Sequence, residues 1–338
     1  MENKDINHII VIGASAGGLS AVESLLSSVP ATIDAALFIV IHLSKNARQD
    51  NILSILKRQS NWPLQIPKNG TIVTRGVAYL APIDCHMMLS DGHIMVSGGA
   101  MENHYRPSID VLFRTAAATY SSCVIGIILS GLLDDGVSGM SAIKSAGGVC
   151  IVQDPDEADY AEMAVNVLKQ TDVDYQVPLS DIAYILADIS SRGDCDPAAI
   201  PDQLRKEADI TIRRATNYAD TDKLGSPTMF TCPDCGGMLT KIEGETTARY
   251  RCYTGHVFSE QFLEEQYLLK TEETLWVAMR MMEERRNFLG SLERKFGTQG
   301  PTAKERKERV IELEKHITHL KVMLANFGTP ISLRGNSD

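Results

Sequence analysis

No run of about 18 consecutive apolar residues occurs in the 338-residue chain, so no membrane-spanning helix is expected. The opening MENKDINHIIVIG lacks a basic n-region and a small-residue cleavage site. No secretory leader and a cytoplasmic location are therefore expected. Basic residues are in deficit: 33 Lys/Arg against 43 Asp/Glu give a net charge of −10. Most of that excess lies before residue 194. Aromatic residues are scarce at 6 %, with two tryptophans. A nucleic-acid partner would need a basic patch, and for single strands a series of stacking rings, so none is expected. Seven cysteines are too few for a disulfide scaffold and odd for complete pairing. No internal repeat or low-complexity segment is visible. What is present, 44 % hydrophobic residues, suffices for a sizeable core and excludes whole-chain disorder.

Up to residue 193, short β-branched runs alternate with helical patterns. His8–Ile12, Ala36–Ile41, Val124–Ser130 and Val149–Gln153 read as buried strands, and Leu19–Leu26 and residues 49–58 as helices. This alternation predicts an α/β fold: doubly wound, with a mostly parallel, Rossmann-like three-layer sheet. Asp91-Gly92 between alternating runs predicts an antiparallel hairpin, because both central residues of a type I′ turn need positive φ. Cys85, Cys123 and Cys150 read as unpaired, buried thiols. A polar, helical piece over 202–218 and the Asp220–Pro227 stretch read as linker.

The first strand runs into Gly13-Ala14-Ser15-Ala16-Gly17-Gly18. A phosphate-cradling turn, a nucleophile elbow of the G-x-S-x-G type and a simple tight turn all remain open there. Ser15 occupies the place of the second glycine of a dinucleotide fingerprint, which weighs against the first. His42 ends the second strand, and Asp134-Asp135 follow a third. Parallel strands share one carboxyl edge, so Ser, His and Asp could meet there as nucleophile, base and orienter.

Read in order, Ile12–Gly18, His42, Tyr79–Pro82 with His86, Arg106–Phe113, Leu129–Gly136, Ala146–Gly148 and Gln153 resemble the catalytic domain of the CheB-type chemotaxis protein-glutamate methylesterases. The resemblance spans about residues 7–190. It implies a doubly wound α/β domain in which Ser15 is the nucleophile, His42 the general base and Asp135 its orienter. The Ala16 amide is the oxyanion donor that follows from it, and Leu132 lies at a neighbouring oxyanion position where methionine is usual. The implied reaction is hydrolysis of glutamyl methyl esters on a methylated chemoreceptor or similar signalling protein, with possible glutamine deamidation and no catalytic cofactor. Ala16 stands where threonine is common, and Glu162-Met163-Ala164 where Gly-Met-Pro is usual. No receiver domain fits ahead of the pattern, so control by a receiver in cis is not expected. Two further readings stay open: the same chemistry on a protein outside chemotaxis, and a non-catalytic signalling adaptor. His86 reads as a hairpin anchor, and Arg106 as an internal partner of Asp110 or a contact for an acidic substrate.

Cys232, Cys235, Cys252 and His256 form C-x2-C-x16-C-x3-H, a complete tetrahedral ligand set for a structural Zn²⁺. Met238–Ile242 and Ala248–Arg251 predict the two strands of a zinc ribbon. Beyond it, Ser259 can cap a helix over about 260–296. Val310, Leu313, Ile317, Leu320 and Leu324 then recur at heptad spacing on a second helix. The stripe predicts an antiparallel hairpin burying its own seam, with self-association as the alternative. Glu312, His316 and His319 read as a solvated face. The expected organisation is a methylesterase domain at 1–193, a linker at 194–228, a zinc ribbon at 229–258 and a helical tail at 259–327.

Overall fold

The apolar runs fold as strands because their alternate side chains find cover on both faces. The computed structural model describes residues 6–193, 195–213, 218–243, 248–297 and 301–327. It comprises two units, residues 1–260 and 261–338.

The first unit begins β1 (His8–Ala14), α1 (Gly18–Ser28), β2 (Ala35–Ile41), α2 (Gln49–Gln59), β3 (Leu64–Gln65), β4 (Thr71–Ile72), β5 (Ala78–Leu80), β6 (His86–Ser90) and β7 (His93–Ser97). It continues α3 (Ile109–Tyr120), β8 (Val124–Ile128), α4 (Val137–Ser145), β9 (Val149–Gln153), α5 (Glu162–Gln170), β10 (Tyr175–Val177) and α6 (Leu179–Ser191). Seven strands pair in parallel in the order β10-β9-β8-β1-β2-β5-β3. In β1, Ile9 and Val11 join a core containing Phe113 of α3 and Met140 of α4. Ile10 and Ile12 join a separate core with Val22 and Leu25 of α1 and Leu186 of α6. Alternate residues of one strand thus feed the two outer layers. From the central β1 the chain winds to β2 on one side and later to β8 on the other. The carboxyl ends of β1, β2 and β8 consequently flank a topological switch point.

The hairpin β6–β7 forms as its turn predicts, with Asp91 at φ 47° and Gly92 at φ 76°. It pairs with β4 in a separate antiparallel sheet. The Arg106-Pro107 bond is cis. The reading of Cys123 as an isolated thiol is corrected: it is bonded to Cys195, with Cα atoms 5.5 Å apart. Sequence could not place Cys195, 72 residues away, beside the end of α3.

After residue 193 come α7 (Asp202–Ile212) and α8 (Tyr218–Thr221). Residues 214–217 of the expected 202–218 helix lie outside the described residues, as do 194 of the expected linker and 298–300 in the expected break. The strands β11 (Gly225–Thr231), β12 (Met238–Ile242), β13 (Arg249–Cys252) and β14 (Val257–Ser259) make a four-stranded antiparallel sheet in chain order. The second unit contains most of α9 (Glu260–Phe296) and α10 (Pro301–Ala325). Met279 of α9 packs with Ile317 and Leu324 of α10, flanked by Leu275, Met282 and Leu320. The heptad stripe therefore buries itself in a hairpin, as its spacing predicts.

Candidate active site

Ser15 follows β1 directly. Its N–H donates to the Ser130 carbonyl at 3.0 Å, and its carbonyl accepts the Gly18 N–H at 2.9 Å. The turn is thereby tied to both α1 and the end of β8. Gly17 adopts φ 71°, and a Cβ there would meet Ser130 Oγ and Asp159 Cβ at 2.9 Å. A Cβ on Gly131 would lie 3.0 Å from that of Ser15. Both glycines are required by that crowding. The Asp159 carboxylate lies beside Gly17, 3.1 Å from where a Cβ would be, and its charge would repel a pyrophosphate, so the elbow geometry is favoured over a phosphate cradle.

His42 follows β2, with its N–H donating to the Ala14 carbonyl at 3.0 Å. Its Nδ1 lies 3.2 Å from Ser15 Oγ and its Nε2 2.8 Å from Asp135 Oδ2. Asp135 is fully buried in the loop between β8 and α4. It accepts hydrogen bonds from Ser108 Oγ at 2.9 Å, the Ile109 N–H at 2.7 Å and the Asp110 N–H at 3.1 Å. The carboxylate thus sits on the N-terminus of α3, where amide dipoles favour negative charge. Burial pushes its pKa up, but the hydrogen bond and charge of His42 and the α3 amides outweigh burial and hold it below the usual range. An ionised Asp135 can only accept, so Nε2 of His42 carries the proton. Nδ1 is then free to accept from the Ser15 hydroxyl.

Asp110 returns the arrangement. Its Oδ1 accepts the N–H groups of Gly136 at 2.9 Å and Gly139 at 2.6 Å, capping α4. Burial and then the Asp135 charge push its carboxyl well up. Sequence reasoning missed this reciprocal cap and took Asp110 as a partner for Arg106. Arg106 instead donates to Asp84 Oδ1, from Nε at 3.0 Å and Nη2 at 2.7 Å, and to the Gly98 and Gly99 carbonyls.

Tyr105 was also missed. Its ring stacks on His42 with centroids 3.6 Å apart and an interplanar angle of 4°. Burial first, then Asp135, Asp134 and Glu162, push its phenol up to about 12. Its only sequence signal is a place just before Arg106-Pro107. Ala16 and Gly17 enter the start of α1, and their N–H groups make no hydrogen bond among the described residues. Leu132 is 39 % exposed, one residue beyond Gly131. His86 is buried: its Nε2–H donates to the Ala100 carbonyl at 2.9 Å and its Nδ1 accepts the Ser108 N–H at 3.3 Å. It anchors the hairpin and, through Ser108, supports Asp135. Glu162-Met163-Ala164 opens α5, with Met163 packed against Gly131.

The Cys₃His set converges. Cys232 Sγ lies 3.7 Å from His256 Nδ1, Cys252 Sγ 3.6 Å from the same atom, and Cys235 Sγ 3.7 Å from Cys252 Sγ. All four ligand atoms fall within 4.8 Å of one another. A tetrahedral zinc with Zn–S near 2.3 Å and Zn–N near 2.0 Å would space its ligands by roughly 3.5–3.8 Å. Asp234 Oδ2 lies 3.9 Å from His256 Nε2, placed to orient the imidazole. The same sheet reaches the active-site loops. Asn103 Oδ1 accepts the Ser259 N–H at 2.9 Å, His104 Nε2 lies 3.2 Å from Asp234 Oδ1, and Ser259 Oγ donates to Asp134 Oδ2. In α10, Glu312 and His316 are exposed and 3.9 Å apart, as a solvated pair.

The fold and these strand ends define an α/β protein of the serine-hydrolase type, with Ser, His and Asp hydrogen-bonded across a switch point. Residues 10–186 match the family model described as CheB methylesterase. A putative protein-glutamate methylesterase/protein-glutamine glutaminase of Leptospira interrogans is 38 % identical over 176 residues, covering 52 % of this chain and 90 % of that protein. A protein-glutamate methylesterase/protein-glutamine glutaminase of Methanosarcina mazei is 31 % identical over 190 residues, 54 % of this chain and 52 % of that protein. The Thermotoga maritima CheB methylesterase catalytic domain superposes with a TM-score of 0.52 at 26 % identity, over 54 % of this chain and 98 % of that one. The chain belongs to the CheB methylesterase family, whose members are carboxylic ester hydrolases.

Proposed function

We propose that this chain hydrolyses the γ-methyl esters of glutamyl side chains on chemoreceptors, with Ser15 as nucleophile, His42 as general base and Asp135 as orienter. The observation that carries this reading is the continuous hydrogen-bonded path from Ser15 through His42 to a buried, ionised Asp135. In the Nε2–H tautomer, Nδ1 takes the serine proton as Oγ attacks the ester carbonyl. The imidazolium then donates to Asp135 on one side and to the departing methoxide on the other, releasing methanol. The Ala16 amide is the donor for the tetrahedral oxyanion, with the exposed Leu132 at a neighbouring oxyanion position that the family resemblance implies. Water, activated by the same imidazole, cleaves the acyl-enzyme. A glutamine side chain would follow the same course with ammonia leaving. This path calls on no cofactor.

The reading includes a structural Zn²⁺ held by Cys232, Cys235, Cys252 and His256, supported by their spacing. Four protein ligands leave no position for substrate, so the metal's part is to hold the ribbon. A cytoplasmic site suits these thiols and the free Cys85 and Cys150, while the Cys123–Cys195 disulfide weighs the other way.

The test is methanol release from carboxyl-methylated chemoreceptor, beside labelling by an activated-ester probe. Wild type is expected to do both. Ser15→Ala is expected to do neither, with turnover lowered at least about 10³-fold. Labelling without methanol release would move the substrate to another protein. Equal labelling of Ser15→Ala would remove the serine-hydrolase mechanism.

A further inference from the structure

A second charged cluster lies in the first unit, away from Ser15. It gathers Glu102, Arg114 of α3, Glu207 of α7, and Arg249 and Arg251 of β13, each no more than 4 % exposed. Arg249 donates to Glu207 at 2.9 and 2.7 Å, and its Nη1 lies 3.4 Å from Glu102. Arg114 Nη1 donates to Glu102 Oε2 at 3.2 Å, and its Nε lies 3.3 Å from Glu207. Burial would raise the Glu207 pKa, but Arg114 and Arg249 bring it down to about 2, so it remains ionised. Two carboxylates are thus occupied by two arginines.

Arg251 is the third guanidinium. Its hydrogen bond runs from Nη1 to Thr211 Oγ1 at 3.3 Å. Its Nε finds no acceptor, and among the described residues no carboxylate lies within ion-pair distance of it. A guanidinium does not shed its proton in a protein, so among the described residues three guanidinium groups of this cluster face two carboxylates. The Cys₃His ligands are near in sequence, but no hydrogen bond from Arg251 reaches their sulfurs among the described residues.

Arg251 borders a cavity that Ser97, Gly99, Ala100, Thr211 and Thr254 also line, together with apolar Met88, Val111 and Ile210. Its Nη2, rather than the enclosed Nε, is the unbonded nitrogen left with accessible surface. The cavity has about 30 Å³ of room for water-sized spheres and is partly open to solvent. Two other wall residues are already committed. Glu102 is held by Arg114 and Arg249, and His86 donates to Ala100 and accepts from Ser108. The Thr211 hydroxyl is committed too, donating to the Glu207 carbonyl at 2.9 Å and accepting from Arg251. The remaining polar character comes from the Arg251 guanidinium and the Ser97 hydroxyl. A buried cation with an unmade hydrogen bond, beside a hydroxyl and a small void, favours an anion.

We propose that this cavity binds a small anion, a halide or an inorganic oxyanion, through Arg251. Its size excludes a nucleotide or a peptide. The site is distinct from the catalytic serine, although His86, Ser108 and Asp135 connect its wall to His42.

The test uses the full-length chain with its metal content measured. Thermal unfolding and titration calorimetry are run at matched ionic strength in chloride, phosphate or sulfate, with bulky gluconate as reference. At least one small anion is expected to bind saturably and raise Tm on the order of 5 °C at saturation. Ser15→Ala is expected to keep that response. Arg251→Met and Ala100→Leu, which fills the cavity while leaving Arg251 in place, are expected to lose it. Should Arg251→Met not fold, Ala100→Leu carries the comparison. The proposal is overturned if no small anion exceeds gluconate, if the response survives in either folded cavity variant, or if it disappears in Ser15→Ala.

Discussion

Asp110 and Asp135 are both buried carboxylates at helix N-termini, yet their pKa values move in opposite directions. Asp135 has His42 as a partner and is held down; Asp110 is pushed up by burial and then by the charges of Asp135 and Glu102, which outweigh Arg114 and the Gly139 amide. For a raised group, the folded state holds its proton more tightly than the unfolded chain. Stability is therefore lost as pH rises above the unfolded carboxyl value of about 3.9. Asp110→Asn removes that penalty, and its amide oxygen can still accept both glycine N–H groups. Melting curves from pH 4 to pH 8 are expected to show the variant gaining on wild type as pH rises. A growing loss would mean that Asp110 is ionised and needed. Tyr105 acts on His42 through its ring face. A stacked pair is worth about 0.5–1.5 kcal/mol, so Tyr105→Leu should lower kcat about 3–10-fold. Tyr105→Phe should restore most of it, and equal losses in the two variants would transfer the effect to the hydroxyl.

At the scale of elements, α3 and α4 exchange caps, and the ribbon sheet grips the loop that carries Tyr105. Glu102, Asn103 and His104 each bond to the ribbon, and Ser259 holds Asp134, next to Asp135. Zinc removal by a chelator, or Cys232→Ser, is expected to melt β11–β14 and slow hydrolysis of a small activated ester as that loop loosens. Circular dichroism, metal analysis and initial rates check this together. Unchanged rates in metal-free protein would show that the loop holds itself. The segment after Cys195 is secured without its sulfur bond, since Ser122 Oγ donates to the Asp196 carbonyl and accepts the Ala198 N–H. These couplings were not legible in the sequence. The ligand spacing C-x2-C-x16-C-x3-H is local and readable, whereas the loop the ribbon grips lies about 150 residues earlier in the chain.

At the scale of the whole molecule, we expect residues 1–260 to fold alone. Each fully buried Ile or Val of β1 contributes about 1.5–3 kcal/mol, and that core lies wholly within the first unit. A chain ending at residue 260 should therefore keep small-ester turnover within about 3-fold, a difference of about 0.7 kcal/mol. A large loss would give the helical hairpin a part in catalysis. Periodicity by itself determined the alternating strands and helices, the Asp91-Gly92 hairpin and the heptad seam, because each is written in neighbours a few residues apart. The G-x-S-x-G turn and a strand-terminal His42 were likewise legible as strand ends. Only the tertiary structure decided that β1 lies between β2 and β8, which brings Ser15, His42 and Asp135 within hydrogen-bond reach. It gives the physical ground for the choice of Asp135 that the family resemblance implied, with Asp135 fully buried on α3 and Asp134 turned to Ser259, and it sets Tyr105 on the His42 ring. The same holds for the cluster of five buried charges that includes Arg251 and spans residues 102–251. Burial and charge compensation depend on distances between segments remote in the chain, and one-dimensional pattern records local backbone preference instead.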